Sequence, residues 1–350
     1  MKAVLQRGTR AARMGAACLA MCLAACLSAG LADPARAAPV IDSDNVDAIK
    51  GSKRVAIERF DVEFYTQLYG EGRSGRNTAR MTAELQGISD ETRQAITQQA
   101  YQDLLAALRQ AGFELVEPAA LAAQPLFQAL DEKYGHASPY RVEDEKLLQG
   151  GMQISQIVAP AGMRAHFDSG IARGDLSQRI EAQNQGIGRQ QGELAAALDA
   201  TLLQVHVLAS FGSVSATKNG GLRIFAGLGA KAAIEAKPLL FPEETQIQIV
   251  NRSGARTFGM SHRMGHSGAV VLKEPLVAAT NIFEMRDTQS QGDKDKQTAG
   301  NFLSGLIGGG AERSGHSVVS ASSEHAYRST YQALIHDALD AMVASLAAAR

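Results

Sequence analysis

The apolar positions fall into segments of different period. From Arg54 to Thr66, Val55 and Ile57 alternate with their neighbours, and then Phe60, Val62 and Phe64 alternate on the opposite parity. A period-two pattern that changes phase predicts a strand with a bulge near Glu58-Arg59. Gly70 to Asn77, rich in glycine and arginine, reads as a loop. Ser89 or Asp90 then caps a helix in which Ile96, Ala100, Leu104, Ala107 and Ala111 recur every three or four residues, and Gly112 stops it. Phe113 to Val116 is a short strand, and Pro118 opens a second helical stretch that runs to Tyr134. Strand, helix, strand, helix is an α/β opening.

Farther along, Met152 to Phe167 reads as a pair of strands turning at Pro160-Ala161-Gly162. Ser177 to Leu198 shows a thin apolar stripe (Ile180, Ile187, Leu194, Leu198) on a Gln-rich background, broken by Gly186, Gly188 and Gly192. That pattern predicts an exposed helix lying on a sheet. From Leu203 the period becomes two: Leu203, Val205, Val207, Ala209 and Phe211 share one face, with Gln204, His206 and Ser210 opposite. Ile224–Ile234, Thr245–Val250 and Ala255–Ser261 continue the β pattern, with Asn251-Arg252-Ser253-Gly254 as a hairpin turn between the last two. Ala269–Leu272 and Leu276–Met285 give two more strands.

Residues 287–323 are rich in Gln, Asp, Lys, Ser and Gly around one apolar island, Phe302 to Ile307, which predicts a long flexible loop. Tyr327, Tyr331, Leu334, Ala338, Met342 and Leu346 then form an amphipathic closing helix. The expected fold is therefore α/β: a mixed, largely antiparallel sheet flanked by amphipathic helices. One domain spans 38–286, and a C-terminal helix at 324–350 packs back on it.

The first residues change the picture of where this domain works. Lys2, Arg7, Arg10 and Arg13 precede an apolar run from Met14 to Ala32, and Ala35-Arg36-Ala37 supplies a small-x-small cleavage pattern before Ala38. This is the plan of a secretory signal peptide over 1–37, cut between Ala37 and Ala38. Leu23-Ala24-Ala25-Cys26 also matches a lipobox, so an alternative leader ends at 25 and Cys26 carries a lipid anchor. Either cut predicts a periplasmic product, held on the periplasmic face of the outer membrane if lipidated.

Cys18, Cys22 and Cys26 all lie in the leader, so a chain starting at Ala38 has no thiol for disulfides, nucleophilic catalysis or cluster ligation. The whole chain carries 35 Lys and Arg against 36 Asp and Glu. Without Lys2, Arg7, Arg10, Arg13, Arg36 and Asp33, 30 face 35, a net of −5. With no basic block and no Trp, nucleic acid is not an expected partner.

Candidate chemistry is sparse. His262 and His266 stand four apart, but Gly265 and Gly268 and the β pattern argue against a metal-binding helix, and no Glu follows His262. His206 reads as a surface or cross-strand residue. Gly305-Leu306-Ile307-Gly308-Gly309-Gly310 lacks the ending of a phosphate loop, and no serine sits in a Gly-x-Ser-x-Gly elbow. Asp131-Glu132 and Glu143-Asp144-Glu145 read as solvated faces. The expectation is no enzyme, no cofactor and no metal.

Several segments together resemble the curli-secretion-lipoprotein (CsgG-like) group, a fold shared with lipoprotein activators of penicillin-binding proteins. Arg54-Val55-Ala56-Ile57-Glu58-Arg59-Phe60 is similar to its opening strand. Tyr101–Leu108 with Gly112-Phe113-Glu114-Leu115-Val116-Glu117 is similar to its first helix and next strand, and Asp199 to Val205 to its middle strand. The chain departs from that pattern at Glu58-Arg59, Pro118 and Val205. The resemblance implies an envelope protein that acts without catalysis by binding an envelope protein partner, in the family's manner also as a homo-oligomer. Two further readings follow from the residues: a periplasmic carrier of an apolar small molecule or lipid, and an oligomer that touches lipid or a partner through Phe302, Leu303, Leu306 and Ile307.

Overall fold

The computed structural model describes residues 38–146, 151–166, 187–216, 230–242, 244–254, 267–306 and 311–350; within these, the side chains of 144–146, 151 and 302–306 lie outside the description. The fold is mixed α/β, an open sheet with helices, as the hydrophobic pattern predicts.

Among the described residues there are fifteen strands: β1 (Ile41–Asp44), β2 (Arg54–Ser74), β3 (Asn77–Gln86), β4 (Glu114–Leu115), β5 (Gly135–His136), β6 (Tyr140–Lys146), β7 (Gly151–Val158), β8 (Ala165–His166), β9 (Thr201–Ala216), β10 (Ala232–Leu240), β11 (Gln246–Val250), β12 (Gly268–Leu272), β13 (Leu276–Val277), β14 (Phe283–Asp287) and β15 (Glu312–Ala321). The helices are α1 (Asp90–Gln110), α2 (Pro118–Ala122), α3 (Pro125–Tyr134), α4 (Ile187–Leu198), α5 (Gln291–Leu306) and α6 (Glu324–Ala349). Thirteen strands share one sheet, whose main path is β1-β12-β11-β9-β2-β3-β15-β14. Its spine is β2 beside β9, parallel from Val55–Thr201 to Phe64–Ala209 with a register shift between Ile57 and Arg59. The bulge predicted at Glu58-Arg59 is therefore present. Apart from β2–β9, β2–β4 and β3–β15, the pairs are antiparallel.

Strand β2 is longer than the alternating segment alone suggests. Its ladder continues through Gly70 and Gly72 to Ser74 against β3, so the expected loop at 70–77 shrinks to a turn at Gly75 and Arg76. Gly70 is needed there because a Cβ would stand 2.4 Å from Val214 Cγ1, in the part of β9 that has left β2 and paired with β10 instead.

Helices α1 and α6 pack together on one face of the sheet. Helix α1 starts where capping chemistry allows: Ser89 Oγ accepts the Thr92 amide at 3.2 Å, and Asp90 and Glu91 sit in the first turn. Helix α6 begins the same way, Ser323 Oγ accepting from Ala326 N at 3.0 Å. Its predicted stripe, Tyr327 to Leu346, is buried along its whole length against Phe60, Phe64, Leu104 and Leu108. Aromatic rings link this helix to the sheet: Phe211, Phe283, Tyr327 and Tyr331 follow one another at centroid distances of 6.4, 6.2 and 4.5 Å. The Tyr331 hydroxyl donates to the Ser210 carbonyl at 2.6 Å, which satisfies both buried groups.

Three expectations are corrected. Residues 287–323 are not a loop, because they hold α5 and β15; Ser290 caps the helix by accepting from Asp293 N, and β15 lies parallel to β3 over nine registered pairs. The polar composition marks an exposed helix and a one-sided strand. Residues 152–166 do not form a strand pair with each other; β7 pairs with β2 and β6, and β8 with β5. The α4 part of the Gln-rich segment is largely buried, and its glycines permit close packing without interrupting it: a Cβ on Gly192 would lie 2.7 Å from Gly254 Cα. Strand β11 pairs with β12, and the second arm of the predicted 251–254 hairpin, Ala255–Ser261, lies outside the described residues.

Leu334→Ala opens a void among the fully buried contacts of α6 and should lower unfolding free energy by about 2–5 kcal/mol. Urea denaturation measures it; a loss within error would mean that α6 is not part of the core.

Candidate functional site

The pleat gives β2 two faces. Val55, Ile57, Phe60, Val62 and Phe64 join the apolar core under α1 and α6. The opposite face carries ionisable side chains, and it too is closed. The bulge places both Glu58 and Arg59 there, followed by Asp61 and Glu63. Register aligns them with the neighbouring strands: Arg59, Gln204 and Gln248 form one rung, and Asp61, His206 and Gln246 the next. All eight of these side chains belong to residues no more than 5% exposed.

The layer is tied to the elements above it. Glu58 Oε2 accepts from Gln204 Nε2 at 2.7 Å, and its Oε1 accepts from Gln191 Nε2 of α4 at 3.3 Å. Asp61 Oδ1 accepts the backbone N–H of His166 in β8 at 3.2 Å, and His166 Nε2 lies 3.1 Å from Asp131 Oδ1 of α3. His206 Nε2 stands 3.2 Å from Glu63 Oε2, an ion-pair distance without the alignment of a hydrogen bond. Among the described residues, Gln246 Oε1, both side-chain polar atoms of Gln248, and Nδ1 of His166 and His206 have no hydrogen-bond partner.

Burial sets the proton affinities. It pushes the Asp61 carboxyl up to about 6, against the opposing pull of the His166, His206 and Arg59 charges and the His166 amide. Burial alone would lower His206, but the carboxylates of Glu63, Asp61 and Glu244 outweigh it and raise the imidazole above its ordinary value. Chemically the layer is a closed store of protons linking α3, α4 and β8 to the sheet. Among the described residues no group of three His, Cys, Asp or Glu is placed to hold a metal ion.

Two of the clefts among the described residues are lined by polar groups. One of about 500 Å³ opens at the starts of β2 and β9, lined by Lys50, Lys53, Arg54, Glu114, Thr201 and Arg252 among others. Another of about 330 Å³ lies between β2, β3, β7 and the start of α1.

The sheet also ends in an open edge. Strand β14 pairs with β15 alone among the described residues, and four of its five residues are exposed. Ser322 N bonds to Ile282 O and Thr288 N to His316 O, which fixes the even-numbered residues as the hydrogen-bonded pairs with β15. The amides of Phe283, Met285 and Asp287 therefore point outward. Asn281 Oδ1 covers the first at 3.0 Å, and the Met285 side chain is 46% exposed beside the second.

Of the residues expected from the sequence, Cys26, Ala37 and Ile307 lie outside the described residues, and Ala38 is the first described. Phe302, Leu303 and Leu306 fall on helix α5 rather than on a loop. His262 and His266 lie outside the described residues; His206 is not on the surface but buried across from Asp61. Asp131 faces His166, while Glu143 pairs with Arg141 on the surface. Glu58, Asp61, Glu63 and His166 were not marked by their spacing. The available signal was that a strand beginning a parallel pair is covered on both faces, so its charges cannot all meet solvent.

Compared with known proteins, the chain matches no family model, no curated protein and no solved structure.

Because the folded Asp61 binds its proton more tightly than the unfolded chain does, its contribution to stability is full below about pH 4 and is lost as pH rises through about 6. Asp61→Asn keeps an acceptor for the His166 amide and removes that loss. It should match wild type near pH 4 and exceed it by up to about 3 kcal/mol at pH 7.5. Chemical denaturation at both pH values measures this; a variant equally destabilised at both would show that ionised Asp61 stabilises the fold.

Proposed function

We propose that this is a non-catalytic protein of the cell envelope, periplasmic or held at the outer membrane through Cys26, that works by binding an extended segment of an envelope protein partner along β14. The outward amide and carbonyl of Met285, at the open end of a thirteen-stranded sheet, carry the reading. An unpaired edge offers main-chain hydrogen bonds to an added strand, and an exposed apolar side chain beside them supplies a contact. Glu284, Arg286 and Asp287 flank it, which restrains indiscriminate pairing and leaves charge to choose the partner.

Two other observations support the reading. The ionisable groups that could serve catalysis, Glu58, Asp61, Glu63 and His206, are closed within the fold and face one another. The export leader and the resemblance to the curli-secretion-lipoprotein group point to the same compartment and mode of action. An apolar carrier is less well supported, since among the described residues the two larger clefts are lined mainly by charged and polar residues and the apolar one beside Leu105 and Leu121 holds only about 30 Å³. No described helix is long and apolar enough to cross a membrane.

Met285→Pro removes the outward donor without touching a bond to β15. It should keep the wild-type unfolding midpoint and recover at least about tenfold less partner in crosslinked envelope pull-downs. Undiminished recovery by a folded Met285→Pro protein would overturn binding through this edge.

A further inference from the structure

We propose that β14 pairs with β14 of a second copy of this chain, antiparallel and centred on Met285, so that the free protein closes its own edge. This concerns the regulation of the edge assigned above, and it rests on that edge being open.

Symmetry and hydrogen-bond parity limit the pairing. Two copies related by a twofold axis bring the same strand edge together in opposite directions. The outward amides and carbonyls belong to the odd-numbered residues, so an odd residue of one copy must face an odd residue of the other. With Met285 opposite Met285, the two residues exchange both main-chain bonds across the axis. The Asp287 amide then meets the Phe283 carbonyl of the second copy, while Asn281 Oδ1 keeps the Phe283 amide. The two Met285 side chains, each 46% exposed, cover one another.

Charge selects this register. Glu284 then opposes Arg286 of the second copy, and Arg286 opposes its Glu284, both on the face away from Phe283. Both side chains are exposed, and neither forms an ion pair among the described residues. These rungs are the non-hydrogen-bonded type, in which facing side chains stand closest and opposite charges stabilise. A slide of two residues either way keeps the parity of the hydrogen bonds. It sets Glu284 against Glu284, or Arg286 against Arg286, and is therefore disfavoured. An acid and a base on either side of an apolar centre make this strand complementary to itself in one register.

The edge is short, so the dimer is weak and opens on dilution. Self-pairing guards the edge against indiscriminate strands where the protein is concentrated, and a partner's strand has to displace the second copy.

Sedimentation velocity of the whole mature protein, free of partner, from about 1 to 200 µM tests the proposal. Wild type should be monomeric at the low end and reversibly dimeric at the high end. Glu284→Arg and Arg286→Glu each set like charges in both rungs and should weaken self-association at least about tenfold. An equimolar mixture of these two variants restores opposite charges in both rungs and should dimerise within about threefold of wild type. The pull-down with Met285→Pro reads partner binding separately, so self-pairing can fail while strand addition by a partner stands. A wild-type monomer across the whole range, undiminished self-association of either single variant, or no dimer in the mixture would each overturn self-pairing.

Discussion

Strands β2 and β9 lie side by side in parallel from Val55–Thr201 to Phe64–Ala209, and the rest of the molecule is arranged by that pairing. Two parallel strands at the centre of a sheet must be covered on both faces. On one face the cover is apolar: α1 and α6 bury Phe60, Val62, Phe64, Val205 and Val207. On the other it is polar, with α4, β8 and the end of α3 reaching Glu58, Asp61 and His166. Past Ala209 the two strands part, β9 turning to β10 and β2 to β3, and this divergence creates the outer path through β15 to the open edge at β14.

The polar face explains why the pair is bulged. With Glu58 inserted beside Arg59, the strand presents an acid and a base together before Asp61 and Glu63. Gln204 and Gln191 satisfy Glu58 from two different elements. Buried charges stabilise little in themselves, and removing one partner is costly. Such a layer therefore fixes which elements cover the sheet more than it adds to stability. It also couples packing to protonation, because Asp61 and His206 both hold their protons more tightly in the fold than in the free chain.

Much of this was legible in the chain. The changed parity at Phe60 gave the bulge, Ser89 and Gly112 bounded α1, and the Tyr327–Leu346 stripe gave α6, because those signals are local. The polar layer was not legible. Glu58, Asp61, Glu63 and Gln204 look like the solvent side of an alternating strand, and only the topology, which sets β9 and β11 beside β2 under α4, takes them out of water. Helix α5 was hidden for the opposite reason: Gln291 to Gly300 is polar on all sides, so it carries no apolar period to read. The edge at Met285 depended on a register that spacing alone does not fix.

Two parts of the molecule thus have separate tasks. The centre is a closed, two-faced sheet that holds its shape through matched layers. The periphery offers main-chain valence at β14, and under the proposed function a partner's strand would add there. Hydrogen–deuterium exchange compared between the free protein and its isolated envelope complex tests that division most directly. The outward amides of Met285 and Asp287 should become slow to exchange in the complex while those of β2 and β9 are unchanged. Protection appearing elsewhere, with Met285 and Asp287 exchanging as fast as in the free protein, would contradict recognition at this edge.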